Sequence, residues 1–183
     1  MITCKNKKCF TKNVTLKKNV PLKKNNILKS CIALLQPDKS IKNNNVNGIV
    51  EFIQKSKYLL IKYKIENLED GLHGFHIHKC GDLTKGCISA CEHFNPFNKN
   101  HGSLNSNHSH AGDLGNIKSF EKLSEGIIKT NKVSLINEET NIIGRMIIVH
   151  KDKDDLGKGN NEESLKTGNA GARLACGVIG IKS

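Results

Sequence analysis

Tryptophan is absent, and tyrosine and phenylalanine number only two and six in 183 residues. So few rings leave little for a stacking platform that holds single-stranded nucleic acid, which argues against nucleic acid as a partner. No run of about 18 apolar residues occurs, so no membrane-spanning helix is expected. The opening MITCKNKKCFTKNVTLKKNV (1–20) lacks the apolar core of a secretory leader and has neither Arg nor Ser, so it is a poor transit peptide. The expected compartment is the cytoplasm. Acidic residues are missing from 1–29, which hold nine Lys. The net charge is +12, yet the rest of the chain carries 20 basic and 17 acidic residues, so the excess belongs mainly to the arm. Such an arm can attract nucleic acid, acidic membrane or an acidic partner. Here Lys, Asn and Ile are overused throughout, as in NNN at 43–45, and the arm reads as a solvated tail. The same bias fits AT-rich coding, as in a large DNA virus or an AT-rich protist; a viral source would place the protein in host cytoplasm and virion.

Residues 1–26 therefore read as a basic flexible extension and 27–183 as one domain. Within 27–183 the texture is short, β-branched and partly alternating. Strands are expected at 27–36, 47–54, 58–68, 71–78, 114–120, 126–133, 142–150 and 173–181. Turn pairs Pro37-Asp38, Asn47-Gly48 and Asp70-Gly71 punctuate the early ones. No helical period exceeds two turns. Eight short strands imply an all-β, antiparallel barrel or sandwich. Two connections are long, 79–113 and 151–172, and loops of that length are usually functional.

Eight histidines are present, seven of them between 73 and 110, and the eighth is His150. His76 and His78 lie at i and i+2 of an expected strand, so they share a face. His150 ends another strand, while His93, His101, His110 and Asp113 come from the first long loop. Imidazole with carboxylate suits zinc and copper. Three His and one Asp make a closed tetrahedral set of zinc type. His93 is near both groups in sequence and has two ring nitrogens, so it could bridge them.

GFHIH (74–78), GC (86–87), HFNP (93–96), HAGDLGN (110–116), IIGRMIIVH (142–150), DDLGKG (154–159) and NEESLKTGNAGARLACGVIGI (161–181) resemble the copper/zinc superoxide dismutase family. The resemblance runs from about residue 28 to the end. It implies an eight-stranded Greek-key barrel with a metal-binding loop and an electrostatic loop, and dismutation of superoxide anion to dioxygen and hydrogen peroxide. It implies copper on His76, His78, His93 and His150, and zinc on His93, His101, His110 and Asp113, with His93 as bridge and proton carrier. Asp154 would be the carboxylate linking His76 to His101, as expected behind metal-bound imidazoles. His108 is a decoy two residues before His110, and His73 is left over as a surface or packing residue.

Arg173 matches the family's guiding arginine, and it is one of two Arg against 27 Lys. That choice suits a task needing a fixed, always-charged fork. Lys166 and Thr167 match the channel rim, with Glu162 and Glu163 nearby.

Seven cysteines, unevenly spaced, do not make a secreted disulfide framework, and a reducing compartment is the default. The resemblance nevertheless implies a Cys87–Cys176 disulfide. It would close a loop of about 90 residues and contribute about 4–5 kcal/mol in the chain-entropy model. Cys31 is expected to be a buried small hydrophobe. Cys80 replaces a large apolar residue of the family's dimer interface, so a homodimer is expected with that interface altered. Cys91 lies two residues before His93, where a rival thiol ligand and a wrong disulfide partner are the minor alternatives. Cys4 and Cys9 give the alternative reading some footing: a copper-handling, chaperone-like protein with a dismutase-like body. Such bodies tend to lack copper ligands, and none is lacking here. A separate copper chaperone remains a delivery partner for the enzyme reading.

Overall fold

A computed structural model describes residues 27–183; the arm at 1–26, with Cys4 and Cys9, lies outside the described residues. Among the described residues there are ten strands: β1 (Lys29–Pro37), β2 (Asn47–Gln54), β3 (Leu59–Glu66), β4 (Gly71–His78), β5 (Thr84–Cys87), β6 (Asp113–Ser119), β7 (Leu123–Thr130), β8 (Met146–His150), β9 (Arg173–Val178) and β10 (Gly180–Ile181). Helix is limited there to one turn, α1 (Ser164–Thr167), and a 3-10 turn at Ile88–Ala90.

Side chains alternate as a pleated strand requires. In β1, Cys31, Ala33 and Leu35 are buried while Leu34 is exposed. In β3, Leu59, Ile61 and Ile65 are buried while Lys62 and Lys64 project outward. The inward sets meet in one core that includes Phe52, Phe75, Ile77, Ile117, Ile147 and Val149. Each large apolar side chain buried this way contributes about 1.5–3 kcal/mol, so the frame behind the site is stiff.

Strands neighbour one another in the order β6-β4-β8-β9-β1-β2-β3-β7, with β10 added to β1. All pairings between these strands are antiparallel. Non-consecutive neighbours such as β3–β7 and β4–β8 give the Greek-key crossovers. The eight-stranded barrel is nearly closed; between β6 and β7 the pair Phe120 and Leu123 bridges the gap. This is the expected all-β Greek-key architecture.

Several bounds differ from expectation. β8 starts at Met146 instead of 142, because Gly144 has φ +80° and Arg145 N–H returns to the Ile142 carbonyl in a turn. The strand expected at 126–133 lies at 123–130, and the last run divides into β9 and β10. β5 has no counterpart among the expected strands.

The period of two also creates the site. Phe75 and Ile77 of β4 point into the barrel, so His76 and His78 stand on its outer face. Ile147 and Val149 of β8 likewise point inward and leave His150 outside. On that outer face a second apolar cluster gathers Met146, Ile148, Cys87, Ala90 and Cys176. Bulges interrupt β4–β6 between Gly74 and His76, and β8–β9 between Val149 and His150. Bulges re-aim side chains in this way beside active sites.

Candidate metal centre

The loop between β5 and β6 folds back over β4. Lys79 N–H donates to Glu92 O at 2.9 Å, Phe94 N–H to Ile77 O at 2.8 Å, and Ile77 N–H to Gly112 O at 2.9 Å. These bonds lay His93 against His76 and His78; its ring centroid is 4.2 Å from that of His76 and 4.8 Å from that of His78. His150 arrives from β8, 4.8 Å from His76 by the same measure. All four rings are buried.

A carboxylate or carbonyl oxygen only accepts, so the partners fix each ring's proton. His78 Nδ1–H donates to Cys91 O at 2.9 Å, and His150 Nδ1–H to Gly171 O at 3.3 Å. Their Nε2 lone pairs then face each other at 3.3 Å. His76 Nε2–H donates to Asp154 Oδ2 at 2.8 Å, leaving Nδ1 buried and without a partner. His93 Nε2 is likewise buried and unpartnered. Such groups are costly unless something occupies the space between them. His76, His78, His93 and His150 form one group of converging ligand atoms.

The other nitrogen of His93 faces a second group. Asp113 Oδ1 lies 2.9 Å from His93 Nδ1, 3.0 Å from His101 Nδ1 and 3.1 Å from His110 Nδ1. His101 Nδ1 comes that close without hydrogen-bonding geometry. Three imidazoles crowding one oxygen suit a shared cation better than shared protons. Ligand atoms around a tetrahedral zinc stand roughly 3.3 Å apart, given bonds of about 2.0–2.1 Å. Asp113 Oδ2 is meanwhile held by the N–H groups of Gly102 and His110, at 3.0 and 2.9 Å.

Asp154 joins the two groups. Its Oδ1 accepts His101 Nε2–H at 2.8 Å while Oδ2 accepts that of His76. Asn116 holds its backbone on both sides, at 2.8 Å each. Gly168, at φ +67°, passes so close that an added Cβ would collide with Asp154 Oδ1. His76, His101 and Asp154 also converge, but there the ring nitrogens are donors, so that trio is a brace.

Burial, and after it the rings of neighbouring histidines, hold His78 and His150 well below the usual imidazole range and His93 at about 3. Neutral imidazoles with free lone pairs are what a metal needs. Burial also opposes protonation of His101, but its close approach to Asp113 and its bond to Asp154 outweigh that and raise it to about 9. Burial would raise Asp113 and Asp154, yet their histidine partners prevail and hold both well below the usual carboxylate range. The residues present fit one ion held by imidazoles alone, as suits copper, and one zinc-like ion held by three imidazoles and a carboxylate.

The remaining expectations divide. Arg173 reaches the cleft, where Nη1 donates to Cys87 O and Ile88 O at 2.9 and 3.0 Å and Nη2 donates to Cys91 O at 2.6 Å. That cleft, about 620 Å³, is also lined by His93, Lys166, Thr167 and Glu163. Lys166 Nζ pairs with Glu162 at 2.6 Å, and Thr167 Oγ1 donates to Glu163 at 2.7 Å. His108 is exposed and outside both groups, as expected of a decoy. His73 is buried, not at the surface, with Nδ1 3.0 Å from His150 O. Cys87 and Cys176 are disulfide-bonded, and Cys31 is buried and free. Cys91 is neither a metal ligand nor mispaired with the Cys87–Cys176 bond: it forms a second disulfide with Cys80. The Cys87–Cys176 bond is the expected one, and the Cys80–Cys91 bond adds a second that was not expected. Sequence reasoning missed the carbonyls of Cys91 and Gly171, since a backbone acceptor leaves no mark in residue type.

A sequence model of the copper/zinc superoxide dismutase family (SODC) matches residues 46–179. The chain belongs to the copper/zinc superoxide dismutase family. It is 47% identical over 143 residues to superoxide dismutase [Cu-Zn] 5 of Dictyostelium discoideum, covering 77% of this chain and 94% of that one. It is 52% identical over 140 residues to superoxide dismutase [Cu-Zn] A of Xenopus laevis, covering 76% and 92%. To the extracellular superoxide dismutase [Cu-Zn] of Brugia pahangi it is 46% identical over 157 residues, covering 84% and 77%. The activity is dismutation of superoxide, and the cofactors are copper and zinc. A copper-handling role is not favoured. These relatives lend no support to a viral source. Among the described residues no helix is long and apolar enough to cross a membrane.

Proposed function

We propose that His76, His78, His93 and His150 hold the copper, and that His93, His101, His110 and Asp113 hold the zinc. The observation that carries this is His93: its two ring nitrogens face two different ligand groups, and Nε2 is buried with no protein partner. Bound copper supplies a one-electron couple, and zinc supplies charge without redox. The protein residues do the rest. Strands β4 and β8 fix three of the four imidazoles facing the copper position. His93 Nε2 is where a proton can be held for the departing peroxide whenever that nitrogen is free. Two superoxide anions and two protons give dioxygen and hydrogen peroxide.

Arg173 is the positioning charge for the anion. Three carbonyls pin its guanidinium at the cleft wall beside His93. Pinning removes the rotamer freedom that a Lys would keep. Thr167 and Lys166 also line the cleft, where Lys166 is paired to Glu162 and so adds less net charge. The test is stopped-flow dismutation by the purified chain, metal-free and loaded with copper and zinc. Loaded protein is expected to turn over rapidly and metal-free protein not at all. Arg173→Ala is expected to lower the rate about tenfold and to flatten its dependence on ionic strength, since steering falls as salt rises. An unchanged rate with unchanged salt dependence would remove Arg173 from this role.

The working form is a homodimer. Ile181 closes the chain on β10 with 68% of its surface exposed, in a face otherwise continuous with β1. Cys80 takes no part in that face as a free thiol, because it is bonded to Cys91. Sedimentation is expected to give twice the 20.2 kDa chain mass, and Ile181→Asp to give single chains. A single-chain mass for the unaltered protein would overturn the dimer.

A further inference from the structure

Cys91 sits at φ +64° and ψ −153°. That corner of backbone space is essentially reserved for glycine and strains any other residue. A non-glycine residue there is over-determined by its surroundings or it relaxes. The relaxing motion rotates the peptide between residues 91 and 92, and so turns the Cys91 carbonyl. This carbonyl is the acceptor for two functional groups at once: His78 Nδ1–H at 2.9 Å and Arg173 Nη2–H at 2.6 Å.

The flanking segments are laid side by side by Lys79 N–H to Glu92 O at 2.9 Å and Cys80 N–H to Ala90 O at 3.0 Å. These bonds bracket Cys91 without engaging its own N–H or C=O. Besides the two contacts at its carbonyl and a contact of Sγ with Ser89 O at 3.6 Å, what reaches Cys91 is the covalent bond to Cys80, two residues past His78.

We propose that the Cys80–Cys91 disulfide is a positioning clamp for the reaction: it holds the Cys91 carbonyl on His78 and Arg173 and makes the setting of both depend on thiol redox state. His78 and Arg173 enter in the roles given above, so the proposal rests on that reading. The Cys87–Cys176 bond cannot substitute, because it anchors the Cys87 carbonyl, a different acceptor of Arg173. The two disulfides also differ in access. Cys87 and Cys176 are 1% and 4% exposed, whereas Cys91 is exposed and Cys80 partly so. A small dithiol therefore meets the clamp first. It gives up two electrons and two protons and becomes a disulfide; the Cys80–Cys91 bond breaks and two thiols form.

The full chain loaded with copper and zinc is compared as Cys80→Ser/Cys91→Ser and as Cys80→Ser/Cys91→Gly. Readouts are the copper electron paramagnetic resonance and visible spectra, the dismutation rate, and its salt dependence. The Ser/Ser protein is expected to show altered copper spectra, a rate lower by about tenfold and a flatter salt dependence. The Ser/Gly protein is expected to regain all three, because glycine holds φ > 0 without a side-chain penalty. Should Ser/Ser fail to fold, a brief dithiothreitol pulse on the folded wild type opens the same bond, with alkylation mapping to show which cysteines are free. Unchanged spectra and rates with Cys80 and Cys91 free would overturn the proposal. A Ser/Ser defect that persists when Cys91→Gly replaces Cys91→Ser would overturn its backbone route. The ligand reading fails separately, if His78→Ala leaves the copper spectra of otherwise wild-type protein unchanged.

Discussion

Replacing His93 with Ala is expected to strip both metal sites and to lower dismutation by at least about 1000-fold, far more than loss of one supporting contact, which costs about 10–100-fold in metal affinity. His93 is 2% exposed, and each of its nitrogens faces a separate ligand group. Alanine removes a ligand from both and leaves a polar cavity lined by unpartnered His76 Nδ1 and the Asp113 carboxylate. No other imidazole among the described residues can replace it: His108 is exposed on the loop, and the nitrogens of His73 lie beside the His150 and Glu69 carbonyls. The frame should survive, since β4 and β8 are held by the core beneath and the loop by Cys87–Cys176. Metal analysis after dialysis, beside circular dichroism, reads the two effects apart. A folded His93→Ala protein that keeps both metals and a tenth of the rate would show that the ring is not shared.

The residues proposed to hold the metals are legible in sequence for a physical reason. Strand-borne ligands must repeat with period two, as His76 and His78 do, and a loop can supply the rest only if it is long enough to return. Strands at 47–54 and 71–78 are legible because each opens on a turn pair, Asn47-Gly48 and Asp70-Gly71. IIGRMIIVH is harder. Ile142 is as buried as Ile147, but it is buried in a turn, and an apolar run does not distinguish the two. β5 is hidden because TKGC has no strand character; Asp38 holds it by accepting the Cys87 N–H at 3.0 Å. Cys80 and Cys91 stand out in sequence only as anomalies. Their pairing depends on how residues 90–94 run back along 77–80, and backbone hydrogen bonds between distant residues leave no trace in residue type.

Asp154→Ala is the second large effect expected. The carboxylate is fully buried, and its two oxygens each receive an imidazole N–H, one from each metal group. Without it two buried donors lose their partner, at about 1–3 kcal/mol each, and both rings can turn. Affinity for copper and for zinc is each expected to fall about 10–100-fold, read by titration against a competing chelator. One effect runs the other way. Asp154 helps raise His101 to about 9, so its loss weakens the proton that competes with zinc at neutral pH. Repeating the titration near pH 9, where that competition is small, reads ring orientation alone. Asp154→Asn separates the two sites further. The amide oxygen can accept one N–H, but its nitrogen is a donor and would confront the other ring. Asn is therefore expected to spare one metal and lose the other. Affinities within about threefold of wild type for both metals in Asp154→Ala would show that the histidines are oriented by packing and that the carboxylate is dispensable.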